Sequence, residues 1–467
     1  MKKLINLRVL SVAAFSFLFA YILSFAFEGK VLYSLLEHYS IAADTYILSA
    51  IVAHFAGLFS CGAFVKSPQM AKRVMLVGML LCLIVTIPFF FAPSILWLIG
   101  LVIAGYVGGC AIASWGYSLK VSTPKNERIK SCADVLIFSN IIMIAINVVT
   151  INISNVAGLV LVLLCLAVGT ALTWLLPVSD SSETVQEERK LSADLKKPLA
   201  LLFLFVAVIT VNSGLMYQVI NPAFEHLTSL VSWYWAVPYI IALAVMRNLP
   251  VKAKRSTMLY AGMAMIMGAF VCFMVMGRNT ADYLVIDTLM LGACGIFDLF
   301  WWSIIGEMLD YSENPMKVFG IGLSANVFGV FCGDVLGVCV TSIALPGAQV
   351  TVIALCVVCV TLVILPPLNH QLVMLLKSHA YLSAYSGMSQ KEQSAIIRHA
   401  KALDPLTERE NEVLELILAG KSNKEIAAEL IISENTVKTH ARRIYSKYDV
   451  GSRAELISTI LKNQADT

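Results

Sequence analysis

Charge is scarce in this chain. Only 14% of its 467 residues are Asp, Glu, Lys or Arg, where an ordinary soluble protein carries roughly 25%. With 58% hydrophobic residues and a mean hydropathy of +0.80, a wholly water-soluble enzyme is excluded. Cysteine is missing from every polar segment: all 11, from Cys61 to Cys359, lie in or beside apolar runs, so no secreted disulfide framework is implied. Cys356 and Cys359 form a CxxC pair with no nearby His or second pair, and read as small packing residues rather than a zinc site. A phosphate-binding glycine loop, metal-ligand spacing and a nucleophile with a placed base are absent as well. An enzyme is therefore not expected, and no metal or cofactor is called for.

The charge that is present is unevenly spread. Residues 1–368 carry 21 basic and 18 acidic side chains, whereas residues 404–467 carry 9 and 11. One chain is thus written for two solvents, and the net charge of +4 is less informative than its distribution.

About 30 Å of hydrocarbon takes roughly 20 helical residues to cross, and twelve apolar runs reach that length. They cover 9–27, 46–65, 74–92, 94–119, 134–153 and 155–176, then 198–220, 228–246, 256–277, 283–305, 318–343 and 348–368. Tight hairpins are expected at Ala92 to Ser94 and at Ser154 to Asn155. The first run follows Met1-Lys2-Lys3, as a signal peptide would, but it is too long and too many spans follow.

Basic residues resist translocation, so loop asymmetry sets orientation. One set of connections holds 19 Lys and Arg, from Lys2 to Lys317, and the opposite set holds only Lys30 and Arg278. Both termini are expected in the cytoplasm of a multi-pass protein of the inner cell membrane, with the lipid bilayer as its partner.

An internal repeat divides the spans. Pro68-Gln69-Met70-Ala71-Lys72-Arg73 follows the second span and Pro250-Val251-Lys252-Ala253-Lys254-Arg255 the eighth; both read P-x-x-A-K-R. The charged segment Val178 to Lys197 stands where a linker between halves belongs. Two six-helix halves in parallel repeat resemble the major facilitator superfamily. Gly62 and Lys72-Arg73 fit that family's loop motif after the second span, but Lys66-Ser67 stand in place of its Asp-Arg pair, which argues against turnover as a transporter.

Ionisable residues inside spans are expensive and mark functional sites. Asp287, Asp298, Asp334 and His54 lie in such runs, with no Lys or Arg expected at their depth. All four read as candidate contacts for an unknown small-molecule ligand, cationic or hydrogen-bond-donating; the acids can equally be protonated or hydrated in a cavity, and Asp298 and Asp334 can cap a broken helix or bond a neighbouring span through Asn326 or Ser324. Trp301 is the aromatic candidate beside them; Trp302, Trp233, Trp235, Trp115 and Tyr117 read as stacking partners or packing.

The tail changes character. Ser or Thr followed three residues later by Glu makes a capping box, and Thr407/Glu410, Ser422/Glu425 and Ser452/Glu455 each signal a helix start. Ser433 caps a further helix, Glu434 to Tyr448, and Gly420 stops the first. Leu406, Val413, Leu414, Ile417, Ile426, Leu430, Val437, Ala441, Ile444 and Tyr448 recur at helical spacing and can close a small core. The turn at Ile431-Ile432 is short enough for a helix-turn-helix. Lys438, Arg442, Arg443 and Lys447 against Glu434 leave the third helix net +3 within a tail of net −2. Positions 435, 438, 439 and 442 form an outer stripe suited to a major groove.

These residues resemble a known family. Leu406-Thr407-Glu408-Arg409-Glu410, Gly420-Lys421-Ser422-Asn423-Lys424-Glu425-Ile426-Ala427, Ile432-Ser433, Thr436-Val437-Lys438-Thr439-His440 and Ile444-Tyr445 look like a LuxR-type DNA-binding domain over 404–465. The resemblance implies double-stranded DNA as partner, Lys438, Thr439 and Arg442 reading bases, and Ser422, Asn423, Lys424, Thr436, Arg443 and Tyr445 holding phosphates. It also implies a homodimer on DNA, paired through Arg453 to Lys462. Ile431 is bulky for the turn, and Tyr448 replaces the usual Leu. Nothing upstream of Leu403 looks like a soluble receiver or inducer-binding domain.

The whole therefore reads as an all-α chain: a polytopic twelve-helix, transporter-like sensor domain at 1–368, a juxtamembrane helical linker at 369–403, and a four-helix LuxR-type domain at 404–467. The linker is expected to break at Gly387 and to start a short helix at Ser389/Glu392 that runs to Ala402. The function expected is a one-component transcription regulator; a secondary transporter with an appended regulatory domain is the alternative.

Overall fold

The computed structural model describes residues 2–27, 29–177, 196–249, 255–312, 314–343, 347–386 and 405–462. The expected linker features at Gly387, Ser389, Glu392 and Ala402, most of the segment Val178 to Lys197, and Pro250 to Lys254 of the repeat lie outside them. The chain divides into two compact units, Met1–Ser179 with Leu202–Ile364 and Asp180–Leu201 with Leu365–Thr467. No strand occurs among the described residues.

In the first half of the membrane unit, helices run α1 (Lys2–Tyr21), α2 (Lys30–His38), α3 (Asp44–Phe64), α4 (Pro68–Thr86), α5 (Ile95–Ser122), α6 (Arg128–Asn152) and α7 (Asn155–Leu175). The second half has α8 (Lys196–Leu215), α9 (Asn221–Ala223), α10 (Thr228–Tyr234), α11 (Val237–Arg247), α12 (Arg255–Val275), α13 (Thr280–Met308), α14 (Pro315–Ser342) and α15 (Gly347–Ser386). Among the described residues these form twelve helical stretches long and apolar enough to span a membrane, from Leu7–His38 to Gln349–Val373. All twelve expected runs coincide with one of them, and both hairpins fall where expected. Ten of the stretches outrun an expected limit, while Asn155–Leu175 and Thr257–Val275 fall slightly short of theirs. The first, expected to end at residue 27, continues to His38 through a π-turn at Ile22–Ala26, and the fifth starts at Arg128 rather than 134.

Local chemistry sets these starts. Ser67 Oγ accepts the Met70 N–H at 3.2 Å with Pro68 in the first turn, Ser154 Oγ accepts that of Ala157 at 3.0 Å, and Asn279 with Asp282 forms a complete capping box. Within the spans, hydroxyls return to carbonyls one turn back, as Ser16 does to Val12, Thr86 to Cys82 and Thr150 to Ile146. A hydrocarbon medium offers them no other partner. Exposed Val77, Ile84, Leu164, Val245 and Val363 clothe the outside, as lipid contact requires.

Small residues bring helices close. A Cβ on Gly109 of α5 would stand 2.5 Å from the His54 carbonyl of α3, and one on Gly320 of α14 would stand 2.3 Å from the Leu58 carbonyl. Contacts of α14 with α3 and α5, and of α6 with α10, α11 and α13, join the halves. Ion pairs reinforce this junction. Asp134 on α6 takes Arg8 at 2.8 Å and Arg247 of α11 at 2.6 Å; buried Arg128 takes Asp310 at 2.8 Å and donates to the Gly306 carbonyl.

In the second unit, the described residues 405–462 form four short helices, α16 (Glu408–Leu418), α17 (Asn423–Leu430), α18 (Glu434–Lys447) and α19 (Arg453–Lys462). Thr407/Glu410 and Ser422/Glu425 form complete capping boxes, and Ser433 caps α18. Ser452 accepts from Glu455, whose carboxylate reaches Gly451 rather than completing the box. Val413, Leu414, Ile417, Ile426, Val437 and Ile444 are buried in one core, as the helical spacing predicts, and Leu456 and Ile457 of α19 join them. Gly420 ends α16 at φ 81°.

Ile431 ends α17 in the same left-handed region, at φ 55° and ψ 47°, with its side chain 90% exposed. A β-branched residue there is strained. Replacing it with Asn, which tolerates this conformation and forfeits almost no burial, is expected to stabilise the separately expressed tail by about 1 kcal/mol. Urea unfolding measures it, and an unchanged or lowered midpoint would show that the turn is not strained.

Candidate DNA interface and membrane cavity

Helix α18 buries Val437, Ala441 and Ile444 and leaves Lys438, Thr439, Arg442 and Arg443 exposed on its other side. Thr439 Oγ1 returns to the Asn435 carbonyl at 3.0 Å, which orders the hydroxyl on the outer stripe. Lys424 is exposed on α17, the first helix of the pair, and Asn423 and Tyr445 are half-buried. Two of the expected phosphate contacts already have local work. Ser422 Oγ caps α17 and donates to Glu425 at 2.7 Å, and Thr436 Oγ1 pairs with Ser433 at 2.8 Å. Both hydroxyls are thus engaged within the tail itself. His440 is half-buried beside the core.

One ion pair anchors this helix. Lys447 at its end donates to Glu410 Oε2 at 2.7 Å and to the Pro405 carbonyl at 2.8 Å, while Glu410 also accepts the Thr407 N–H at 2.9 Å. Burial alone would raise the Glu410 carboxyl, but the Lys447 ammonium and the Thr407 donors outweigh it and hold it below the usual carboxylate range. Glu425 is lowered too, first by the Ser422 backbone N–H and then by its hydroxyl.

In the membrane unit, a cavity of about 130 Å³ lies between the halves. Eight of the twelve spans line it, among them the first, second, fifth, seventh, eighth, tenth and eleventh. His54, Asp298 and Trp301 meet there. Asp298 Oδ2 accepts from Tyr239 at 2.7 Å and Oδ1 from the Trp301 indole at 3.2 Å, rather than from Asn326 or Ser324. His54 Nδ1 lies 3.2 Å from the Gly105 carbonyl. The first span of each half breaks into a π-turn beside the cavity, Ile22–Ala26 and Met216–Ile220, and Ile22, Leu23, Met216 and Tyr217 line it. Such turns recur at functional sites.

Asp287 and Asp334 do not line this cavity. Asp287 is buried on α13 about one turn before Leu291 of the cavity wall, and Asp334 is buried where α14 meets Gly214 of α8. Of the other aromatics, Trp235 and Trp302 reach the cavity, whereas Trp115 is packed on Phe15 with ring centroids 4.3 Å apart and Trp233 is exposed. Asn326 lines the cavity too, as do Tyr239, Asn140 and Ser213, which the sequence does not point to because nothing in a span marks a hydroxyl or amide as facing inward.

The family model for bacterial regulatory proteins of the luxR family matches residues 404–460. The uncharacterized response regulatory protein YgeK of Escherichia coli is 54% identical over 57 residues, covering 12% of this chain and 39% of that one. The uncharacterized transcriptional regulatory protein YhcZ of Bacillus subtilis is 56% identical over 50 residues, 11% and 23% of the two chains. The transcriptional regulator MalT of Vibrio cholerae is 47% identical over 55 residues, 12% and 6%. This chain thus spans well under half the length of each of these relatives, and the likeness is confined to the tail. The membrane unit is similar to the human organic anion transporter MFSD10, with a TM-score of 0.61, 12% identity, and 78% of this chain and 99% of that one covered. It is similar also to a bacterial homologue of the iron transporter ferroportin in an outward-facing state, at 0.56 and 14%, covering 79% and 99%. At these identities the likeness concerns the fold.

A folded-state carboxyl held low stabilises above the ordinary glutamate value and loses that contribution as the pH falls through the lowered one. Glu410→Gln is expected to destabilise the tail by about 1–2 kcal/mol at neutral pH. The difference from wild type should vanish in acid, below the usual glutamate range. Urea titrations across pH check this, and a pH-independent deficit would mean that Glu410 acts through packing alone.

Proposed function

We propose that this chain, whose C-terminal domain is of the LuxR type and whose membrane unit has a major-facilitator-like fold, is a membrane-bound one-component transcription regulator. The membrane unit senses a small molecule or membrane state and so controls sequence-specific DNA binding by a tail on the cytoplasmic side. A ligand that favours one arrangement of the spans shifts the population of tails able to pair on a two-fold DNA site through Arg453 to Lys462. The observation that carries this reading is the joining, in one chain, of a DNA-reading domain to a membrane fold with a lined central cavity. The 19 to 2 bias of basic residues supports cytoplasmic termini.

Lys438, Thr439 and Arg442 are assigned to bases, and Lys424, Arg443 and Tyr445, with Ser422, Asn423 and Thr436, to the backbone. A second reading, a secondary transporter whose tail regulates its operon, draws on the cavity itself. Vesicle uptake that depends on Asp298 would favour it.

Full-length protein in lipid nanodiscs is expected to bind its own upstream DNA. Arg442→Ala or Lys438→Ala should each lower specific binding by about 1–3 kcal/mol and relax the sequence preference. Lys424→Ala should weaken binding evenly across sequences and reduce the salt slope by about 1. Unchanged binding by the first two variants would show α18 to be misassigned. If the isolated tail, forced to dimerise, selects no sequence from a random DNA pool, the regulator reading fails.

A further inference from the structure

We infer that the central cavity is a site for a small organic cation, its ammonium group seated on Asp298 within a wall of aromatic rings. This deepens the sensor reading above and rests on it for its biological meaning, though the site itself stands on the cavity's chemistry. Among the described residues that line the cavity, Asp298 is the one acidic side chain and no Lys or Arg appears. Its two hydrogen-bond donors, the Tyr239 hydroxyl and the Trp301 indole, are neutral. They fix the carboxylate's orientation but do not balance its charge, and each oxygen keeps a further acceptor position. A carboxylate at the wall of a cavity inside a lipid-embedded bundle is expensive without a counter-charge.

The wall supplies the rest of a cation's recognition. Phe19, Tyr217, Trp235, Tyr239, Trp301 and Trp302 line the cavity, and the Trp301 and Trp302 ring centroids lie 5.8 Å apart at 45°, so their faces are turned different ways. Aromatic faces attract desolvated ammonium groups, quaternary ones above all. Ser213, Asn140 and Asn326 add neutral polar groups for a hydroxyl on the ligand's other end. The volume, about 130 Å³, is near the roughly 150 Å³ that accommodates a benzene-sized guest. An anion would meet a carboxylate with no Lys or Arg in the wall, where His54 is turned to the Gly105 carbonyl, and an uncharged guest would leave that carboxylate uncompensated.

The test compares three molecules of one shape: choline; dimethylbutanol, its uncharged isostere with carbon in place of nitrogen; and dimethylbutanoate. Calorimetric titration of the full-length protein in lipid nanodiscs should show choline binding at least about 10-fold more tightly than dimethylbutanol, with dimethylbutanoate weakest. Asp298→Asn should bring choline to within about 2-fold of the isostere while leaving the isostere itself unchanged. The wild-type comparison needs no variant, so a folding failure of Asp298→Asn cannot rescue the idea. Equal or tighter binding of the isostere, preference for the carboxylate, or failure of choline, tetramethylammonium and benzyltrimethylammonium alike overturns it. Upstream DNA binding measured in the same discs separates the two claims. Cation binding that leaves DNA affinity untouched sinks the sensor reading and sustains the cation site.

Discussion

Hydrocarbon supplies no hydrogen-bond partner and no counter-ion, and that constraint orders most of this structure. Hydroxyls of the spans turn back onto carbonyls of their own helices, as Thr86 and Thr150 do. Charges gather at helix ends, where Asp134 is shared by Arg8 and Arg247 and Arg128 is enclosed by Asp310 and Gly306. Asp298, like Asp287 and Asp334, is an exception by depth. It is tolerated because a cavity, a tyrosine hydroxyl and an indole N–H surround it. The same constraint explains why close approach relies on Gly109 and Gly320: where apolar surface gains nothing by leaving lipid, packing distance decides which helices associate.

The tail lives under the opposite constraint. Water already satisfies its polar groups, so a domain of some sixty residues must close a core with few side chains and define its helix ends with caps. Complete boxes at Thr407/Glu410 and Ser422/Glu425 do the second task. Glu410 has a further role, because its carboxylate also holds Lys447, tying the start of α16 to the end of α18. Lys438, Arg442 and Arg443 take no part in that framework and stay exposed, so they are free to meet phosphate and base edges without loosening the core.

Local rules made much of this legible in the sequence. Apolar run length placed twelve spans, and capping residues placed all four tail helices, because both signals lie within a few neighbouring residues. What could not be read depends on distant partners. Arg128 and Lys196 looked like loop charges, yet both lie in helices, and Arg128 is buried by Asp310 and Gly306 in the other half. Asp134 and Arg247 are 113 residues apart, and no periodicity joins them. Asp287, Asp298 and Asp334 were alike as acids in spans, and only the assembled bundle distinguishes the one at the cavity from the two packed elsewhere. Ile431 was recognisable as bulky, but its left-handed backbone emerges only once α17 and α18 share a core. The length of the Ile431-Ile432 turn was readable in advance; its strain was not.

The central claim is that a lipid-embedded chain governs genes through its own tail. Transcript profiles of cells carrying the full-length protein, compared with cells carrying Lys438→Ala and Arg442→Ala together at equal membrane abundance, test it most directly. A confined set of transcripts should change, including those beside the DNA that the purified protein binds. Identical profiles, with both proteins inserted and equally abundant, would contradict the account.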